Sequence, residues 1–110
     1  MRLIRWTAIL LILGVAVQAS AASPIEQLKG RWAFNWASNP AKARCVRVEG
    51  ELLKDFAADA YQCRLDETTN TTTGAPAADC TRTKPDKDYL IFRTKALCEA
   101  ERLAQAANGD

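Results

Sequence analysis

The chain has 110 residues, in which 15 lysine and arginine residues nearly balance 13 aspartate and glutamate residues, and it contains no histidine. This length is enough for one small domain, and the missing histidine excludes Ser-His-Asp and Cys-His catalytic triads. The nearly neutral, interspersed charge gives no reason to expect nucleic acid as a partner.

The first 21 residues, Met1–Ala21, have the organisation of a secretory signal peptide. Arg2 and Arg5 form a positive start, an unbroken apolar run follows, and the segment ends in the small-x-small pattern of a cleavage site. We therefore expect an exported single domain, Ala22–Asp110, in which cationic and acidic residues are equal in number. The alternative is an uncleaved membrane anchor, since the stretch from residue 6 to 25 is uncharged and about long enough to span a bilayer.

The exported domain is predicted to begin with a short helix and two strands. Residues 23–26, Ser-Pro-Ile-Glu, form a capping box, and Gly30 is a suitable helix end. Residues 31–37 alternate between large aromatic and smaller side chains, which predicts a strand. After a Ser-Asn-Pro turn signal, residues 44–48 alternate again and predict a second strand.

In the centre of the chain, the spacing of the apolar residues changes twice. Residues 51–60 gather their apolar side chains on one helical face, so a helix is predicted there. Residues 61–66 alternate and predict a third strand. A polar, threonine-rich loop over residues 68–78 follows.

A hairpin and a final helix are predicted to complete the domain. Strands at residues 79–83 and 88–93 are joined by a turn in which Pro85 takes the second position. Thr94 caps a helix over residues 95–107.

The final helix has an apolar stripe and a polar face. The stripe, which we expect to contact the sheet, consists of Ala96, Ala100, Leu103, Ala104 and Ala107. The polar residues, which we expect on the outer face, are Glu99, Glu101, Arg102 and Gln105. The order β-β-α-β-β-β-α after a leading helix predicts an α+β fold. We expect a small disulfide-stapled domain with a mostly antiparallel sheet of four to five strands and helices packed on one face.

The four cysteines, Cys45, Cys63, Cys80 and Cys98, are predicted to form two disulfides. Their wide spacing does not match zinc sites or redox C-x-x-C motifs, and an exported protein folds in an oxidising compartment. Three pairings are possible, and we prefer Cys45–Cys63 with Cys80–Cys98 because the two loops are then of similar size. Since Cys98 lies opposite the apolar stripe, we expect it in the first helical turn, bonded to a loop or strand end.

Three aromatic residues, Trp32, Phe34 and Trp36, share one face of the first predicted strand. We favour a core role for this row, and a ligand face on which a sugar stacks is the alternative. Two pairs of acidic residues offer the general acid and base of a glycosidase-type hydrolase, Asp66 with Glu67 and Asp86 with Asp88. We interpret these acids as solvated surface charges and predict no catalytic residue.

The sequence therefore favours a small exported cell-envelope protein, periplasmic or secreted, that acts as a non-catalytic binding or inhibitor-type module. We expect a monomer without cofactor or metal ion, with an envelope protein or glycan as partner and no nucleic acid. After leader cleavage we expect no membrane attachment. The alternative is a structural or accessory envelope protein tethered by an uncleaved N-terminal segment. A hydrolase that uses two carboxylates is the least favoured hypothesis.

Overall fold

The computed structural model describes residues 24–108, so the predicted signal peptide and its cleavage site lie outside the described residues. A 3-10 helix, Pro24–Leu28, begins this region. The elements that follow are β1 (Trp32–Asn35), β2 (Val46–Arg47), α1 (Gly50–Ala57), β3 (Gln62–Thr68), β4 (Ala77–Thr83), β5 (Asp86–Phe92) and α2 (Lys95–Asn108). The predicted order of elements is confirmed.

The strands form one five-stranded sheet in the order β2-β1-β5-β4-β3, with antiparallel neighbours throughout. The predicted hairpin is the β4–β5 pair, and β1 inserts beside β5 so that Trp32 lies opposite Phe92. The predicted α+β class and its antiparallel sheet are thus confirmed.

The sheet is covered on both faces, whereas the sequence predicted helices on one face only. Ala33 and Phe34, adjacent in β1, are both completely buried, and their side chains point to opposite sides of the strand. On the Ala33 side, Phe56 of α1 belongs to the buried core. On the Phe34 side, Cys98 of α2 belongs to the buried core. A strand with two apolar faces requires cover on both, which is why the two helices pack on opposite faces of the sheet.

The disulfides are Cys45–Cys98 and Cys63–Cys80, so the preferred pairing was wrong. Cys63 and Cys80 lie directly opposite each other in the β3–β4 pair, with their Cα atoms 4.0 Å apart. Cys45, in the loop before β2, reaches Cys98 in the first turn of α2, as expected for the position of Cys98. The strand register, and not the similarity of the loop lengths, therefore determines which cysteines form disulfides.

Helix α2 contacts the sheet through a different face from the predicted apolar stripe. Cys98 and Glu101 are completely buried, whereas Leu103 is 57% exposed. Burial of an alanine methyl contributes less than about 1 kcal/mol. A disulfide and several hydrogen bonds to a carboxylate contribute more, about 1.5–3 kcal/mol for each bond to a charged group. The helix is therefore oriented by Cys98 and Glu101 rather than by its alanines.

Two disulfides indicate an oxidising, extracellular-type environment for the chain. Within residues 24–108, no helix combines the length and the apolar character that a membrane crossing requires.

Candidate functional site

Helix α2 leaves part of its side of the sheet uncovered, and a groove of about 810 Å³ lies over β3, β4 and β5. We call it the Trp36 groove, after the tryptophan that follows β1. The lining residues used below are Trp36, Arg64, Asp66, Asn70, Asp79, Asp88 and Leu90. They come from four separate segments of the chain.

Strand register brings the two central carboxylates of the groove together. Asp79 pairs with Leu90, and Thr81 pairs with Asp88. Asp79 and Asp88 are therefore diagonal neighbours on the same face of the sheet. The backbones of residues in such positions are about 7–8 Å apart. The sequence alone does not reveal this proximity, because it depends on the alignment of β4 with β5.

Trp36 is 43% exposed, although it is one of the largest apolar side chains of the domain. Its backbone N–H donates to the carbonyl oxygen of Asp88 at 2.9 Å. The side-chain oxygen of Asn35 accepts from the backbone N–H groups of Ala37 and Asp88, at 3.1 and 3.0 Å. These bonds attach the turn after β1 to β5, so Trp36 has a fixed position in the groove.

The Asp88 carboxylate is partly buried beside Trp36. Burial raises the pKa of Asp88 above its ordinary value, and the neighbouring carboxylates of Asp79 and Asp86 act in the same direction. Hydrogen bonds from Thr81, whose hydroxyl donates at 3.1 Å, and from the Trp36 side chain oppose this increase. The net increase in pKa means that burial disfavours the charged form of Asp88 more than these hydrogen bonds favour it.

Asp79 forms a two-pronged ion pair with Arg64 of the edge strand β3. The guanidinium Nε and Nη2 donate to its two carboxylate oxygens at 3.1 and 2.8 Å. Asp66 points to solvent and has no ion-pair partner among residues 24–108. Four carboxylates, those of Asp66, Glu67, Asp79 and Asp88, and the Arg64 guanidinium line the groove, which is therefore negatively charged.

The threonine-rich loop over residues 69–76 borders the groove and is held by Glu101 of α2. The Glu101 carboxylate accepts from the backbone N–H groups of Thr72 and Thr73, each at 2.9 Å. It also accepts from the Thr73 hydroxyl at 2.9 Å and from the Gln105 amide at 2.8 Å. Burial would raise the pKa of Glu101, but these hydrogen bonds outweigh it and keep the pKa below its ordinary value.

A recess of about 280 Å³ extends the groove towards α2. It shares Trp36, Asn70 and Leu90 with the groove and is closed by the threonine-rich loop, Glu101 and Gln105. Glu101 thus determines the shape of this end of the site, although the sequence placed it on the outer face of the helix.

The three aromatic residues predicted to share one face have different environments. Phe34 is completely buried and stacks near Phe92, with ring centroids 6.4 Å apart, so it belongs to the core. Trp32 is half-buried, and the Lys95 ammonium lies 5.3 Å from its ring centroid. Only Trp36 lines the groove, so a ligand face made of all three does not form.

Asp66 and Glu67, predicted as a pair of acids, have different partners in the structure. Glu67 accepts hydrogen bonds from Arg31 and Arg93, and the bond from Arg93 is the main cause that lowers its pKa. This ion cluster joins β3 to the ends of β1 and β5 and is structural. Asp66 lines the groove, and none of the described residues forms an ion pair with it. Asp88 lines the groove too, whereas Asp86 is exposed at the start of β5.

Between Pro24 and Asn108, no group of three or more histidine, cysteine or acidic residues is arranged to hold a metal ion. No family model matches the chain, and comparisons with curated proteins and with solved structures give no significant match.

Proposed function

We propose that this is a small exported cell-envelope protein that binds a carbohydrate, without catalysis, in the Trp36 groove. The observation that carries the proposal is the exposed indole of Trp36 beside the carboxylates of Asp66 and Asp88 in one groove. Sugar rings combine an apolar C–H face, which stacks on an aromatic ring, with hydroxyl groups that donate hydrogen bonds. The groove offers both complementary features on a rigid sheet.

The charge of the groove favours a neutral or amino sugar over an acidic one. Four carboxylates line the groove together with one guanidinium, that of Arg64, so an anionic ligand would be repelled. Sugar hydroxyl or amino groups would donate further hydrogen bonds to the partly buried carboxylate of Asp88. Asn70, at the rim, adds an amide that both donates and accepts hydrogen bonds.

A binding role is favoured over hydrolysis by the placement of the carboxylates. Inverting glycosidases hold their two carboxyl groups about 6.5–9.5 Å apart, on opposite sides of the bond that is cleaved. Asp79 and Asp88 instead stand side by side on one sheet face. Asp79 is also occupied by Arg64, so it is not available as a base for a ligand at Asp88.

The proposed location is the periplasm or the extracellular space. The signal-peptide pattern of Met1–Ala21 supports export, and the two disulfides agree with an oxidising compartment. The tethered accessory protein remains the alternative, and the mass of the mature chain distinguishes them. A chain beginning near Ala22 supports the exported domain, and one beginning at Met1 supports the tether.

Tryptophan fluorescence tests the binding proposal. The purified oxidised protein is titrated with oligomers of N-acetylglucosamine, as an amino-sugar probe, and with malto-oligosaccharides, as a neutral probe. Binding at the groove should shift the emission of Trp36, and the shift should persist in Trp32→Phe but vanish in Trp36→Phe. An unchanged spectrum with both probes, supported by the absence of binding heat, would reject a carbohydrate ligand of these classes.

A further inference from the structure

A second cleft, of about 760 Å³, lies between the loop that precedes β2 and the first half of α2. We call it the cationic cleft, because four of its lining residues carry a positive charge and one carries a negative charge. These residues are Lys42, Arg44, Lys95, Arg102 and Glu99. The cleft is separate from the Trp36 groove, with which it shares no lining residue.

The loop side of the cleft is held rigidly against the helix. The backbone N–H groups of Lys42 and Ala43 both donate to the carbonyl oxygen of Asn39 at 2.9 Å, so the loop is a compact turn. Its end is bonded to α2 through the Cys45–Cys98 disulfide, whose Cα atoms are 6.1 Å apart. Cations distant in sequence are therefore brought to one site before any ligand arrives.

Within the described part of the chain, residues 24–108, most of the positive charge in the cleft lacks an ion-pair partner. Arg102 donates to Glu99 at 2.8 Å and to the carbonyl oxygen of Pro40 at 3.3 Å, so one cation is already neutralised. Lys42 and Arg44 are exposed and have no ion-pair partner among residues 24–108.

The ammonium of Lys95 lies over the Trp32 ring, a contact that positions its charge without neutralising it. Among residues 24–108, no carboxylate forms an ion pair with Lys95. Three positive charges, those of Lys42, Arg44 and Lys95, thus converge on the cleft. Because cationic and acidic residues are equal in number in Ala22–Asp110, the net charge does not reveal this local excess of positive charge.

We propose that the cationic cleft is a binding site for a phosphate ester group. A phosphate monoester carries a charge of about −1.5 to −2 at pH 7 and three acceptor oxygens, whereas a carboxylate carries one charge and two oxygens. The guanidinium of Arg44 suits two-pronged hydrogen bonding to phosphate, and the ammonium groups of Lys42 and Lys95 add point charges. The phosphate could belong to a lipid headgroup or to a soluble molecule.

Charge reversal at two matched lysines tests this site. Lys42→Glu changes the cleft, and Lys84→Glu makes the same change of net charge at an exposed turn residue outside it. Wild type and variants, with folding checked by circular dichroism, are titrated calorimetrically with inorganic pyrophosphate at about 0.15 M salt. Citrate serves as the carboxylate comparison. Vesicles of phosphatidic acid in phosphatidylcholine, against phosphatidylcholine alone, identify a lipid source.

We expect pyrophosphate to bind wild type more tightly than citrate does, with binding weakened about tenfold by Lys42→Glu and less than twofold by Lys84→Glu. Vesicle binding with the same dependence on the variants would assign the phosphate to a lipid headgroup. Equal weakening by both variants, tighter binding of citrate, or no binding of pyrophosphate would overturn the proposal. None of these results depends on whether the Trp36 groove binds sugar.

Discussion

Glu101 of α2 accepts two hydrogen bonds from Thr73, one from its backbone N–H and one from its hydroxyl, both at 2.9 Å. The carboxylate is completely buried, yet its pKa lies below the ordinary value because Gln105 and the loop supply donors to both oxygens. One helical side chain thus holds the threonine-rich loop that borders the candidate binding site.

Glu101→Gln should destabilise the protein by about 2–4 kcal/mol. The glutamine amide keeps only one acceptor oxygen, so its NH2 group would face the N–H of either Thr72 or Thr73 and leave that donor unpaired. Urea unfolding of the oxidised protein measures the change. Glu99→Gln, on the same helix but only half-buried, should cost less than about 1 kcal/mol. Equal losses in the two variants would show that Glu101 has no special role in the loop.

Stability should fall on acidification because of Glu101 and Glu67. Both pKa values are lowered in the folded protein, so the stabilisation is complete above the ordinary glutamate value of 4.5 and is lost as the pH falls through the lower folded values. Urea midpoints between pH 7 and pH 3 measure this effect. In Glu101→Gln the loss below the ordinary glutamate pKa should be smaller than in wild type. A parallel decline in both proteins would contradict this assignment.

Asp88→Asn should leave stability at neutral pH within about 1 kcal/mol of wild type, on the more stable side. Because burial raises the pKa of Asp88 in the folded protein, its charged form opposes folding at pH 7, and the contribution has the opposite sign to that of Glu101. The amide oxygen still accepts from the Thr81 hydroxyl. Thermal unfolding measures stability, and sugar binding should weaken in the same variant. A clear loss of stability would show that the charge serves the fold instead.

The two disulfides should contribute unequally. Cys45 and Cys98 are 53 residues apart, and Cys63 and Cys80 are 17 residues apart. Chain entropy then predicts a contribution of about 4 kcal/mol from the first bridge and about 3 kcal/mol from the second. Urea unfolding of the paired alanine variants, Cys45→Ala/Cys98→Ala and Cys63→Ala/Cys80→Ala, compares them. A larger loss on removal of Cys63–Cys80 would show that strand pairing, and not loop length, governs the effect.

The sequence predicted the order of the elements because local periodicity carries that information. The alternation around Trp32, the proline turn at Pro85 and the cap at Thr94 are all local signals. The Thr94 hydroxyl indeed accepts from the Leu97 backbone N–H at 3.2 Å. The two-sided cover of the sheet was missed, although Ala33 and Phe34 are consecutive apolar residues in β1.

What the sequence did not predict depends on contacts between distant segments. The Cys63–Cys80 bond and the proximity of Asp79 to Asp88 both follow from strand register, which no local pattern specifies. The burial of Glu101 follows from the path of a loop that lies nearly 30 residues earlier, as the sequence separation of 28 from Thr73 shows. Most of the candidate site is therefore visible only in the folded protein.

The most direct test of the carbohydrate-binding account is calorimetric titration of the oxidised protein with N-acetylglucosamine oligomers, for wild type, Trp36→Ala and Leu103→Ala. Leu103 is the matched control, since it is a large exposed apolar residue that does not line the groove. The account predicts binding to wild type and Leu103→Ala with similar affinity, and at least about tenfold weaker binding to Trp36→Ala, because a stacked aromatic ring is lost. Equal affinities for all three proteins, or no binding to any of them, would contradict a sugar site at Trp36.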